Sequence, residues 1–178
     1  MIVIHPKDKT TEFLKKIYSG KNNIKLIDET WNNRSIRETI GTADKNEIVM
    51  MLGHGCVQGL FAPFNNQQFG RLIIDNRIVY LLREHPCVGI WCYANEFAKK
   101  YELKGLFSGM VVSSKDEADM NGLDIEGESI NDLNYQYASD LSYCFDHYSL
   151  DLIPLMMEEI QDYHSDVKDF NYKSLFYY

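Results

Sequence analysis

Glu47-Ile48-Val49-Met50-Met51-Leu52-Gly53-His54-Gly55 and, further along, Pro86-Cys87-Val88-Gly89-Ile90-Trp91-Cys92 decide how this chain folds. Ile48 to Leu52 is continuously apolar, the pattern of a central strand buried on both faces, where no solvent side imposes alternation. It stops abruptly at Gly-His-Gly, which describes an exposed turn. The second run is a buried-strand candidate of the same type and ends on Cys92.

Outward from these two runs, strand-like and helix-like stretches alternate, as expected of a parallel sheet with crossover helices. Met1 to Pro6 reads as a first strand. Asp8 or Thr10 can cap a helix through Lys16, with Phe13, Leu14 and Ile17 at helical spacing and Ser19-Gly20 ending it. Ile24 to Ile27 is a short second strand, and Ser35-Ile36-Arg37-Glu38 has the form of a capping box for a helix that stops near Gly41. Between Cys56 and Ile74, the residues Gly59, Pro63, Asn65, Asn66 and Gly70 suit a hairpin or irregular excursion. Asp75 is an N-cap candidate for a helix carrying Ile78, Val79, Leu81 and Leu82. After Cys92 a helix capped by Asn95 is expected to close at Gly105, followed by a strand over Leu106 to Val112 and a polar loop from Ser113 to Asp124. A helical stripe runs from Ser129 to Tyr148, and a further helix is expected over Leu152 to Val167 with Pro154 in its first turn. The aromatic tail, Phe170-Asn171-Tyr172 and Phe176-Tyr177-Tyr178, either docks on the core or meets a partner, a second copy in a homodimer included. Residues 1–178 are thus expected to form one α/β domain, an αβα sandwich around a mostly parallel sheet of about five or six strands, with C-terminal helices.

Bulk composition narrows the function classes. Eighteen Lys and Arg against 26 Asp and Glu give a formal charge of −8, a field that repels phosphate backbones, so nucleic-acid binding is not expected. No apolar run approaches the roughly 18 residues of a membrane span, and the first residues lack the basic and apolar segments of a secretory signal. The expectation is a cytoplasmic protein that uses no membrane and carries Cys56, Cys87, Cys92 and Cys144 as reduced thiols. There is no CxxC pair, P-loop, Rossmann glycine pattern, HExxH or GxSxG. His54-Gly55-Cys56 is a His-x-Cys half-site without a second half, so no metal is expected. Cys87 and Cys144 fall in apolar stripes and read as core; His5, His147 and His164 read as surface or capping residues.

Chemistry concentrates where the two buried strands end, because reactive groups in open parallel sheets gather at the carboxyl edge. If the strands are neighbours, His54 and Cys92 emerge on one rim. A thiol with a pKa of about 8.5 needs such a base to act as a nucleophile at neutral pH. Cys92 also precedes a helix N-terminus, which favours thiolate. The glycines beside His54 let backbone amides approach a developing oxyanion. Other readings stay open: Cys92 as buried filler, His54 as a turn residue that touches a ligand without catalysis. The acidic residues Asp116, Glu117, Asp119, Asp124, Glu126 and Glu128 form either a solvated loop or a contact for a basic substrate side chain, and Asp28 after the second strand has the same two readings.

An apolar strand ending in His-Gly, a spacer with a hairpin and helix, then an apolar strand ending in Cys resembles the caspase-like cysteine peptidases: caspases, metacaspases, gingipains, separase and the CHAT proteins. The resemblance is carried by Ile48 to Gly55 and Val88 to Cys92, with Lys104 to Val112 similar to the family's next strand, and covers about residues 1 to 115. It implies His54 as general base and acid, Cys92 as nucleophile, and the amides of Gly55 and Cys92 as the oxyanion hole. It further implies peptide or protein substrates, no cofactor, and substrate contacts from Asp28, Asp116 and the residues flanking the nucleophile, Trp91 and Tyr93. The alternatives are a caspase-like scaffold that no longer cleaves and binds a protein partner, and a flavodoxin-like domain for a small ligand.

Overall fold

A computed structural model describes residues 1–62, 71–125, 127 and 129–178. In chain order the elements are β1 (Ile2–Ile4), a 3-10 turn (Glu12–Leu14) leading into α1 (Lys15–Tyr18), β2 (Lys25–Ile27), α2 (Asn33–Gly41) and β3 (Val49–Leu52). Three short strands follow, β4 (Gly55–Cys56), β5 (Gly59–Phe61) and β6 (Leu72–Ile74), then α3 (Val79–Leu82), β7 (Cys87–Ile90), α4 (Ala94–Tyr101) and β8 (Gly105–Ser108). The chain ends with α5 (Lys115–Met120), α6 (Ile130–His147), α7 (Ile153–Glu159), α8 (Asp166–Lys173) and β9 (Leu175–Tyr177).

The main sheet has the order β2-β1-β3-β7-β8-β9. Its first five strands are mutually parallel, and β9 joins β8 antiparallel. The two apolar runs are therefore the central neighbours, with Leu52 opposite Ile90. Side chains alternate across the sheet. Ile2, Ile4, Val49 and Met51 pack with Ile36 and Ile40 of α2, Leu82 of α3 and Phe97 of α4. On the other face Val3, Met50, Leu52, Val88 and Ile90 pack with Ile17 of α1, Tyr137 and Leu141 of α6, and Met157 of α7. Helices thus cover both faces of a mixed sheet, an αβα arrangement, and the unbroken apolar runs follow from that double burial.

β4, β5 and β6 form a separate antiparallel sheet, which is the expected excursion after the Gly-His-Gly turn. Pro63, Asn65, Asn66 and Gly70, assigned to that excursion from sequence, lie outside the described residues, as do Glu126 and Glu128 of the acidic stretch. Among the described residues no helix is long and apolar enough to cross a membrane.

Several local expectations are corrected. The cap of α2 is Asn32, whose Oδ1 accepts from the Ser35 amide at 2.9 Å, so Ser35 lies inside the helix. Asp75 accepts from the Arg77 amide and guanidinium and does not cap α3. Gly105 opens β8, and the turn out of α4 is made by Glu102 with φ +54°. The supposed polar loop holds α5, because Ser114 caps it and Asp116 and Glu117 sit in its first turn, where the helix dipole favours acids. The helix expected over Leu152 to Val167 is two. Lys168, 2 % exposed, would carry an unpaired buried ammonium, and the bend brings back the Asp162 carboxylate and the Tyr163 ring, 3.9 Å from Nζ, to meet it. His5 is buried against Tyr18, with Nδ1 3.1 Å from its hydroxyl, because strand parity aims it into the same core as Val3. The aromatic tail docks: β9 completes the sheet, with Phe107 opposite Phe176.

Candidate active site

His54 and Cys92 each lie two residues beyond the last paired positions, Leu52 and Ile90, at the carboxyl ends of adjacent parallel strands. Gly53, between strand and histidine, has φ +140°, a conformation an L side chain rarely adopts, and turns the chain out of the sheet there. Cys92 is fixed by its neighbours. Ser108 Oγ, fully buried, takes the Trp91 amide at 3.0 Å and donates to the Trp91 carbonyl at 2.8 Å, replacing strand pairing where β7 has ended. Tyr93 then enters α4 with φ +68°, its amide donating to Gly109 at 3.0 Å.

One small cavity of about 20 Å3 is lined by both His54 and Cys92, together with Thr11, Leu14, Val111 and Ser113 among others. That is room for about one water, far below the roughly 300–1,000 Å3 of small-molecule sites. His54 and Cys92 do not hydrogen-bond each other. The Cys92 sulfur faces the Val111 carbonyl at 3.9 Å. Burial pushes its thiol pKa up, and the negative charge of Glu117 adds to the effect. The resting group is thus a thiol, and the short helix behind it does not outweigh burial, contrary to the expectation from its position before α4.

His54 is held from the other side. Its Nε2 lies 2.6 Å from Thr10 Oγ1 and 3.6 Å from Asp8 Oδ1. Thr10 donates to Asp8 from its hydroxyl at 2.5 Å and its amide at 2.8 Å. A carboxylate only accepts, so the Thr10 hydroxyl proton points to Asp8 and its oxygen accepts from Nε2–H. The imidazole tautomer is set by that chain, leaving Nδ1 with the lone pair. Burial raises the Asp8 carboxyl, but the Thr10 hydrogen bonds and the nearby His54 ring outweigh it and hold the group below the usual carboxylate range. Asp8 and Thr10 were read from sequence only as helix caps. The available signal was an Asp-x-Thr turn directly after a strand that feeds the same rim.

The backbone amides have separate environments. Among the described residues the Cys92 N–H donates to no backbone carbonyl and lies against its own sulfur. In the β4–β5 hairpin the Phe61 amide donates to His54 at 2.8 Å, which makes His54 and Phe61 a hydrogen-bonded pair. Gly55, opposite Leu60, falls at the next, non-bonded position, so its N–H points away from β5. A Cβ on Gly55 would stand 2.1 Å from the Trp91 ring, so this position is glycine by close approach.

The proposed substrate contacts divide. Trp91 lines the cavity but is 1 % exposed, and its Nε1 donates to the Cys56 carbonyl at 3.2 Å, so it acts as a wedge under Gly55. Tyr93 is half exposed beside the cavity's rim residue Cys92 without lining it. Asp28 accepts from the Thr30 amide at 2.9 Å and hydroxyl at 2.6 Å, which takes up its carboxylate in a turn away from the cavity. Asp116 is exposed on α5 and does not line it either. Cys87 and Cys144 are buried, and among the described residues no cluster of three His, Cys, Asp or Glu could hold a metal. Compared with models of known protein families and with curated proteins, the chain matches none.

Proposed function

We propose that this chain is a cysteine peptidase of the caspase-like kind, with Cys92 as nucleophile and His54 as general base and acid. The observation that carries the reading is the delivery of an imidazole and a thiol to one cavity from the ends of adjoining strands. Nδ1 of His54 takes the Cys92 proton, and the thiolate attacks the scissile carbonyl carbon. The oxyanion forms beside the Cys92 N–H, which donates to no carbonyl, with Gly55 N–H as the second donor. The imidazolium, stabilised by Asp8, then protonates the leaving amine as the C–N bond breaks. Water attacks the thioester, His54 accepts its proton, and the acid product leaves with the thiol restored. The gap between sulfur and ring closes on substrate binding, as catalytic hydrogen bonds commonly tighten only in the complex.

The raised thiol pKa and the absence of a His54–Cys92 hydrogen bond favour a second reading, a caspase-like scaffold that binds a protein partner without cleaving it. Thiol labelling separates the two. In a Cys56→Ser background, iodoacetamide is expected to modify Cys92 at least about tenfold faster than Cys87 or Cys144, and His54→Ala to slow Cys92 alone. A Cys92 rate that is unchanged in His54→Ala removes the dyad and leaves the scaffold.

A further inference from the structure

The main sheet ends in β2 on one side and β9 on the other, and the two edges differ. On β2, Lys25 and Ile27 bond to the neighbouring strand: the Lys25 amide donates to Met1 and the Ile27 carbonyl accepts from His5, each at 3.0 Å. Only Leu26 turns its amide and carbonyl outward, next to the exposed side chain of Lys25. Charges of that kind are how sheet edges are kept from pairing.

β9 has no such protection. Gly105 and Tyr178 exchange both of their hydrogen bonds, at 2.9 and 3.0 Å, which fixes the parity of the β8–β9 ladder. Antiparallel pairs alternate between bonded and non-bonded positions. Phe176, opposite Phe107, is therefore bonded to β8, whereas Leu175 opposite Ser108 and Tyr177 opposite Leu106 are not. The N–H and C=O of Leu175 and Tyr177 point away from β8, and among the described residues nothing pairs with them. The strand has no charged residue, proline or bulge. Phe176 and Tyr177 are 38 % and 48 % exposed, on opposite faces of the sheet.

Two outward-facing residues set two positions apart make this edge complementary to itself. About a twofold axis at Phe176, Leu175 exchanges both bonds with Tyr177 of a second copy, and Tyr177 does the same with Leu175 of that copy. Every outward amide and carbonyl of both strands is then paired. Phe176 meets its own counterpart at a non-bonded position, where facing side chains come closest and an aromatic pair is favoured. Sliding the copies by two residues would pair Leu175 with Leu175 and leave Tyr177 of each unpaired. A second copy thus brings the matching strand by symmetry alone.

We propose that β9 is a self-association edge, at which two copies of this chain join antiparallel about Phe176 and continue their sheets into one. The inference is independent of the peptidase reading. A seam of three residues a side is small, so the association is of the weak, concentration-dependent class.

Sedimentation equilibrium of the full chain from about 1 µM to about 1 mM is expected to show the mass rising reversibly from one chain towards two. A single-chain mass throughout would overturn the proposal. Tyr177→Pro deletes an outward N–H that β8 does not use, at an edge position that tolerates proline. By symmetry it removes two bonds from the seam, and the dimer is expected to dissociate at least about tenfold more readily. An unchanged dissociation constant in the folded variant would place the contact on another face. Cross-linking reads the register directly. In a Cys56→Ser background, Phe176→Cys sets two thiols at a facing non-bonded position, with Cα atoms about 4.5 Å apart and within disulfide reach. In Tyr177→Cys the two thiols stand two residues out of register, beyond the reach of about 7 Å. Under mild oxidation, with bonds mapped by mass spectrometry, Phe176→Cys is expected to form the linked dimer at least about tenfold faster than Tyr177→Cys. Equal rates, or no dimer linked through position 176, would sink the twofold pairing. This comparison does not depend on the proline variant and decides the matter if that variant fails to fold.

Discussion

Asp8→Asn is the perturbation that best isolates how His54 is prepared. The amide keeps the shape of the carboxylate and an oxygen for Thr10, and removes only the charge 3.6 Å from His54 Nε2. At that separation, with an effective dielectric of about 20, the interaction with an imidazolium has a ceiling of about 4–5 kcal/mol. His54 and Asp8 are 30 % and 24 % exposed, and pairs open to solvent fall to about 1 kcal/mol or less. The intervening Thr10 bonds raise the figure towards the 1.5–3 kcal/mol of charge-assisted hydrogen bonds. An intermediate value of about 1.4 kcal/mol is a factor of ten in the population of the thiolate–imidazolium pair. Iodoacetamide labelling of Cys92, followed by mass spectrometry from pH 5 to 9, reads that population directly. At neutral pH Asp8→Asn is expected to label about tenfold more slowly. Thr10→Val is expected to act in the same direction, since it cuts the chain between the two groups. A profile in Asp8→Asn that superimposes on the unmodified one, with His54→Ala still slow, would refute the reasoning and leave Asp8 as a turn former only.

Two further outcomes follow from groups away from the sulfur. Burial lowers the His5 pKa from 6.5 to about 4, so between those values the unfolded chain takes up a proton that the folded chain refuses; stability therefore falls as pH drops through that window, by about 2 kcal/mol between pH 7 and pH 5. Urea unfolding should show a shallower fall over this range in His5→Asn, and parallel curves would contradict the assignment. Asn171 is 1 % exposed and clamps Val112 like a strand partner, accepting from its amide at 2.7 Å and donating to its carbonyl at 2.9 Å. Asn171→Leu leaves both groups buried and unpaired and is expected to destabilise the fold by about 2–4 kcal/mol, measured as a lower urea midpoint at constant slope; a shift under about 0.5 kcal/mol would mean that the backbone finds other partners.

The amino-acid order by itself determined the sheet's interior and where it stops. Ile48 to Leu52 and Cys87 to Ile90 are unbroken because both of their faces are buried, and a glycine that must take positive φ or a serine clamp marks each end. His54 and Cys92 were legible for that reason alone. Helix boundaries were less so: several polar residues within two or three positions can cap, and the chain used Asn32 in place of Ser35. The bend after Glu159 depends on a lysine and its aromatic and acidic partners meeting in space. Only the tertiary structure decided what surrounds the imidazole and the thiol. β1 lies beside β3 in the sheet although α1, β2 and α2 separate them in the chain, and this adjacency puts Asp8, Thr10 and Thr11 against the rim that β3 and β7 supply. Burial then outweighs the helix end at Cys92, since desolvation acts on the charge from every side and a helix terminus from one. Strand order and solvent exclusion are properties of the assembled sheet, and no local run of residues encodes them.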